Sequence, residues 1–193
     1  MNVLGIPASN SRDGLNRQIV GYAARLLEGG ELGVTATVDI LDLNEFEMPI
    51  YSTERQHADG FPEPAVRFRD RVAWADALIL SFAEHNGSYS VAWKNVFDWV
   101  SRIDLGVYQG RTIAMFSTAP GPRGGAGVLE HAVLVAPFFA GEVVGSLVVP
   151  RFGENFDREN GELSNPELRD EFGRIVAALV GAEASMTPGR ANP

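Results

Sequence analysis

Apolar and polar positions alternate along this chain in two periods, and the switches between them outline five strands and five helices. Asn2 to Pro7 is a short apolar run, read as a buried strand. Leu15, Ile19, Ala23, Leu26 and Leu27 then recur at helical spacing, so Gly14 to Glu28 reads as an amphipathic helix, stopped by Gly29-Gly30. Val34 to Leu41 alternates as a second strand, and Leu43 to Gly60 is a long polar and aromatic connection. Pro62 to Trp74 reads as a helix with a proline near its first turn. Ala77 to Phe82 is a third strand, Val91 to Ile103 a helix, and Arg111 to Ser117 a fourth strand. A glycine-rich turn at Gly121 to Gly127 leads to a helix from Val128 to Phe139 and a fifth strand from Val143 to Val149. Phe152 to Pro166 reads as a loop and Glu167 to Val180 as the closing helix.

Strands that alternate with helices make a parallel sheet covered on both faces. Right-handed crossovers leave few ways to wind it. The pattern predicts an α/β fold, a doubly wound five-stranded sheet of flavodoxin type in the order 2-1-3-4-5. Residues 1–181 form a single domain in this reading, and 182–193 a flexible carboxyl-terminal tail.

Composition narrows the function. The 193 residues carry a formal charge of -9, from 25 acidic and 16 basic side chains. A nucleic-acid partner calls for a basic face, so none is expected. No apolar run approaches membrane-spanning length, and Met1 to Pro7 is too short and uncharged for a signal peptide, so the expected location is cytoplasmic. The chain has no cysteine, which removes thiolate catalysis and Cys-ligated metals. Lys94 is the only lysine, so positive charge otherwise rests on arginine.

Three polar loops follow the first, third and fourth strands, whose ends converge where such a sheet holds its ligands. The first, Ala8 to Asn16, offers the hydroxyls of Ser9 and Ser11, the amides of Asn10 and Asn16, and Arg12, directly before a helix. That composition suits a phosphate monoester and equally suits an ordinary helix cap. The second, Glu84-His85-Asn86-Gly87-Ser88, places a carboxylate and an imidazole beside one glycine. Glu84 and His85 read as structural and ligand-contacting groups ahead of proton carriers. The third runs from Ser117 through Pro120, Gly121, Arg123, Gly124 and Gly125 to Gly127, with four glycines in seven positions. Glycine there allows close backbone approach or positive φ. His57 and His131 have no metal-ligand spacing and read as surface or packing residues. Trp93, Phe97 and Trp99, at helical spacing, read as core or as a subunit face.

Together these loops resemble the NADPH-dependent FMN reductase family, flavodoxin-like enzymes that include azo, quinone and chromate reductases. Ser9-Asn10-Ser11-Arg12 with Asn16 is similar to the family's phosphate loop. Glu84-His85-Asn86-Gly87-Ser88 is similar to its P-E-[YH]-N-[GH]-S turn, and Lys94-Asn95 with Asp98-Trp99 to the K-N-x-x-D-W that follows. Ser117-Thr118, Pro120-Gly121 and Arg123-Gly124-Gly125 are similar to its S-T-S-P-G-x-x-G-G loop. Ala83, Gly14 and Ala119 depart from it, standing where Pro, Ser and Ser are common.

The resemblance implies bound FMN, with NAD(P)H as co-substrate and a small-molecule electron acceptor such as free flavin, a quinone, an azo compound or a metal oxyanion. Its phosphate is expected on Ser9, Ser11, Arg12 and Asn16. Its ring is expected against Glu84, His85, Asn86 and Gly87, with Ser117, Pro120, Gly121, Arg123, Gly124 and Gly125 closing the other edge. The flavin carries the chemistry, so no catalytic side chain and no metal are expected. A homodimer or homotetramer is expected, with the flavin near the interface. A flavodoxin-type electron carrier and a flavin-free binding module on the same fold remain as alternatives. No motif stands out as a 2′-phosphate site, which leaves NADH and NADPH both open.

Overall fold

Side-chain alternation along the first strand, Asn2–Ala8 (β1), sends Leu4, Ile6 and Ala8 to one face of the sheet and Val3 to the other. The same division holds for Ala77–Phe82 (β3) and Thr112–Thr118 (β4), so a separate core forms on each face. With Thr37–Ile40 (β2) and Glu142–Val149 (β5) these strands pair throughout in parallel, in the order β2-β1-β3-β4-β5. This is the doubly wound arrangement read from the sequence. The computed structural model describes residues 1–30, 32–33 and 36–181. Val34 and Thr35 of the expected second strand, and the expected tail from Ala182, lie outside the described residues.

The helix Leu15–Glu28 (α1) and the last helix Pro166–Leu179 (α6) cover one face. On α1, Ile19, Ala23 and Leu27 of the predicted stripe are buried together with Val20, and Leu15 and Leu26 pack partly buried against the same core. Gly5 lets α1 lie close on β1, for a Cβ there would sit 2.5 Å from Val20 Cγ1. The other face is covered by Glu63–Trp74 (α3), Val91–Ile103 (α4) and Ala126–Val135 (α5). Short Thr53–Asp59 (α2) precedes α3.

Several expectations change. The connection from Leu43 to Gly60 contains a 3-10 turn at Leu43–Phe46 as well as α2. Asp42 caps the first by accepting from the Asn44 N–H, and Ser52 caps the second by accepting from that of Arg55. Helix α2 buries no residue, so it has no apolar stripe for a periodicity reading to detect. The loop from Phe152 contains a helical turn, Phe152–Asn155, and a hairpin of Phe156–Asp157 with Glu162–Leu163. The helix expected from Val128 to Phe139 begins at Ala126 and gives way to a 3-10 turn at Ala136–Phe139. Pro137 has no N–H to continue the ladder.

The aromatic residues of α4 belong to the core of the same chain. Trp93 and Trp99 are each 1% exposed, and truncating either should cost about 3–5 kcal/mol. Phe97 packs on Tyr108 and Phe139. Among the described residues no helix is long and apolar enough to cross a membrane.

Candidate active site

The carboxyl ends of β1, β3 and β4 bring the three polar loops together, because these strands are neighbours in the sheet. A cleft of about 220 Å³ opens between them, lined by Ser9, Ser11 and Asn16 from the first loop, Glu84 and His85 from the second, and Pro120 from the third. Gly14, Leu15, Ala83, Thr118 and Ala119 complete its walls.

The first loop folds on itself. The Ser11 N–H donates to Ser9 Oγ at 3.2 Å, and the Gly14 N–H to the Ser11 carbonyl at 3.0 Å. A Cβ on residue 14 would lie 2.9 Å from the Ser11 carbonyl oxygen, so the serine common at this position in the resembling family does not fit this turn. Gly14 is the N-cap of α1. It brings no capping side chain, and no acidic residue sits in the helix's first turn. The partial positive charge of this helix end is therefore left for whatever enters the cleft.

Asn16, 5% exposed, reaches the cleft from the first turn of α1, and Ser81 Oγ donates to its Oδ1 at 2.7 Å. Ser81 is fully buried on β3. With Oδ1 engaged there, the Asn16 amide N–H₂ is the group that remains to donate into the cleft.

Arg12, expected beside Ser9 and Ser11, turns outward instead. Its side chain is 79% exposed, and its Nε approaches Asp42 at 3.8 Å. The Asn44 backbone N–H holds the Asp42 carboxyl below its usual range; burial opposes this, and the Asn44 side chain, Arg12 and Arg17 reinforce it.

The second loop is a β-hairpin. Glu84 pairs with Tyr89 and His85 with Ser88. Asn86 (φ 53°) and Gly87 (φ 78°) make the two-residue turn, both at positive φ as a type I′ turn demands. Asn86 and Gly87 thus sit at the exposed tip, while Glu84 and His85 at the base face the cleft. Glu84 Oε2 accepts from the backbone N–H of Val128 at 3.0 Å, capping α5 from outside its own segment. Ser90 closes the other end. Its Oγ accepts from the Trp93 N–H, capping α4, and donates to the Ala8 carbonyl at 2.8 Å. Tyr89 packs between Phe82 and His131, and burial pushes its phenol up to about 12.

In the third loop three of the glycines serve contacts within the protein. A Cβ on Gly124 (φ +57°) would meet Val148 Cγ1 at 2.6 Å and Pro150 Cα at 2.8 Å. Gly125 (φ +83°) lies against Ser117, and a Cβ on Gly127 would meet Glu84 Oε2 at 3.2 Å. Ser117 is fully buried beneath this loop, and its Oγ has no hydrogen-bond partner among the described residues. Ser117, Gly124 and Gly125 are therefore buried behind the cleft wall, which Thr118, Ala119 and Pro120 form, and the exposed Gly121 and Arg123 do not line it.

The Lys94-Asn95…Asp98-Trp99 stretch also resolves into contacts. Lys94 pairs with Asp98 at 2.5 Å. Asn95 donates to the Met48 and Pro49 carbonyls and accepts from the Tyr51 N–H, while Trp99 Nε1 donates to the Pro49 carbonyl at 2.7 Å. This latch holds Met48 and Ile50 in the wall of a second pocket of about 330 Å³, which meets the first at His85.

Residues 1–153 match the family described as NADPH-dependent FMN reductase. The chain belongs to this family. It is 27% identical over 122 residues to the quinone reductase of Escherichia coli (strain K12), an alignment that covers 58% of this chain and spans only 65% of that protein's length. It is 29% identical over 184 residues to the probable NADPH:quinone oxidoreductase 2 of Oryza sativa subsp. japonica, covering 93% of this chain and 87% of that one. In fold it is similar to the flavoenzyme NAD(P)H:(acceptor) oxidoreductase of Paracoccus denitrificans, with a TM-score of 0.68 at 21% identity, covering 94% and 96% of the two chains.

The donor set of the cleft fits the phosphate of the flavin mononucleotide for which the family is named. An uncapped helix end, a buried amide held with its N–H₂ outward and two serine hydroxyls are what an anion needs in a chain of net charge -9. Among the described residues no group of three or more His, Asp or Glu could hold a metal.

Proposed function

We propose that the protein binds FMN across its three loops and works as an NAD(P)H-dependent oxidoreductase that reduces a small molecule of the quinone class. The observation that carries this reading is the uncapped α1 terminus facing a cleft into which Ser81 turns the Asn16 amide. Membership of the FMN reductase family and relatives named quinone reductase support it.

When bound, FMN supplies the redox chemistry, accepting a hydride from the reduced nicotinamide and returning two electrons to the acceptor. The chain's own residues bind and position. Asn16, Ser9 and Ser11 hold the phosphate, with the α1 terminus behind them. The hairpin base at Glu84 and His85 sets the opposite wall, kept rigid by the Glu84–Val128 bond. His85 lies where the cleft meets the pocket of Met48 and Ile50, whose mix of apolar and amide groups suits a flat, partly polar acceptor. Ile50 and Val91, 65% and 69% exposed at that pocket, support a homodimer that covers them, and light scattering at micromolar concentration tests it.

The test is spectroscopic. Purified protein supplied with FMN should carry flavin bands that bleach anaerobically with NADH or NADPH and return on adding a quinone. Protein that takes up no flavin would be a binding module on this fold. Flavin bands untouched by either nicotinamide would make it an electron carrier.

A further inference from the structure

In a chain of net charge -9, several arginines face acids. Arg67 pairs with Glu63, Arg69 with Asp70, Arg71 with Asp39, Arg151 with Glu154 and Arg174 with Glu171. Three others gather in one place. Arg12 of the first loop, Arg17 of α1 and Arg158 of the hairpin after β5 line a groove of about 470 Å³ with Asp13, Gly14 and Gln18. They come from three separate parts of the fold, so no local sequence pattern puts them together.

Each keeps most of its donors. Arg17 donates one N–H to the Leu41 carbonyl at 3.1 Å, and Arg158 lies over the Phe152 ring at 5.3 Å; among the described residues neither has an ion-pair partner within 4 Å. Arg12 comes no closer than 3.8 Å to Asp42, whose carboxylate also feels Arg17. A guanidinium has about five N–H donors, so the set holds many that no protein acceptor uses. Against three positive charges stand Asp13 in the lining and Asp42 behind Arg12 and Arg17, and the α1 terminus adds to the positive side.

The groove adjoins the cleft, since Gly14 lines both. On a chain of net charge -9, a groove with three guanidinium groups gives an approaching anionic dinucleotide a local site of attraction. We infer that the Arg12, Arg17 and Arg158 groove is a second phosphate site, which takes the phosphorylated adenosine end of the electron donor and so favours the 2′-phosphorylated dinucleotide. The inference rests on the reading of the adjoining cleft as the site of an FMN-dependent oxidoreductase. Planar guanidinium forks that come from different directions suit a phosphate monoester better than a diester, because the monoester offers more acceptor oxygens.

Calorimetric titration of FMN-supplied protein with adenosine 2′,5′-bisphosphate tests it, with 5′-AMP and inorganic pyrophosphate as comparisons and Arg158→Gln as the variant. Arg158 is exposed and takes no part in the cleft, so fold and FMN affinity should persist. The bisphosphate should bind the parent protein more tightly than either comparison, and Arg158→Gln should weaken it by about tenfold, the loss of one charge-assisted contact. Arg158→Lys should restore part of that. Equal bisphosphate affinity in the parent protein and Arg158→Gln overturns the inference, as does no bisphosphate binding at all. Pyrophosphate binding as tight as the bisphosphate reduces the groove to an unselective anion patch and also overturns it. A parent protein that binds the bisphosphate but no FMN keeps the groove and sinks the oxidoreductase reading instead.

Discussion

Glu84 Oε2, at the base of the hairpin after β3, accepts the backbone N–H of Val128 in the first turn of α5, 3.0 Å away. The bond joins the second loop to the third and caps a helix whose own N-cap, Gly125, has no side chain to offer. Glu84→Ala should therefore destabilise the fold by about 1–3 kcal/mol, with Glu84→Gln retaining roughly half of that, since it keeps an acceptor oxygen. Urea denaturation of the three proteins decides it. Equal stability of Glu84→Ala and the parent would mean that the cap is not felt.

Ser81 positions Asn16. Ser81→Ala frees the amide to turn, so affinity for FMN should fall by about 0.5–1.5 kcal/mol while affinity for riboflavin, which lacks the phosphate, stays the same. Ser9→Ala with Asn16→Ala should lower FMN affinity further. Parallel losses for both flavins in Ser81→Ala would place its effect on the fold and not on the phosphate.

Gly124 holds the third loop against β5. In Gly124→Ala the new methyl meets Val148 and Pro150 at a positive φ, and the cost should be about 1–3 kcal/mol. Gly121→Ala, where a Cβ meets nothing within 4 Å, is the control and should be near neutral. Thermal melts of the pair measure the difference.

Tyr89 gives the fold a pH dependence. Burial raises its phenol from 10.0 to about 12. The folded state binds the proton more tightly, so the contribution is fully present below pH 10.0 and is lost as pH rises through about 12. The stability of the parent protein relative to Tyr89→Phe should thus decline once the pH passes 10.0. Burial also pushes up the phenol of Tyr108, and Tyr89 raises it further, so the comparison is made in a Tyr108→Phe background. Denaturant midpoints against pH provide the measurement, and a flat difference would overturn the assignment.

His85 touches both pockets, yet it is exposed. Delivery of a hydride to the flavin moves no proton in the same step, and water is at hand for the proton that follows. His85→Ala at full FMN occupancy should therefore slow stopped-flow flavin reduction by less than the roughly 10²–10⁴-fold typical of losing a general acid or base. A collapse to background with bound flavin unchanged would make His85 a proton donor.

Much of the fold was written in periodicity. Apolar runs mark four strands of the sheet and alternation marks the second, and the stripe of Ile19, Ala23 and Leu27 marks α1, because burial on a face imposes a repeat that a local window detects. The hairpin at Glu84 to Tyr89 carries a signal in its Asn86-Gly87 turn, but its two-residue strands are polar and show no alternation that would set them apart from a loop. The three ligand loops could be placed at one edge because a strand order of 2-1-3-4-5 leaves the ends of the first, third and fourth strands side by side.

What each side chain does within those loops was decided by tertiary contacts. Ser81 and Asn16 lie on separate elements, as do Glu84 and Val128, so no spacing along the chain relates them. Gly124 looked like room for a ligand and is room for Pro150; Arg12 looked like a phosphate clamp and faces outward beside Arg17 and Arg158. Composition states that glycine permits a close approach and that arginine seeks an anion. Which backbone comes close, and which anion the arginine meets, depends on partners that only folding brings within a few ångströms.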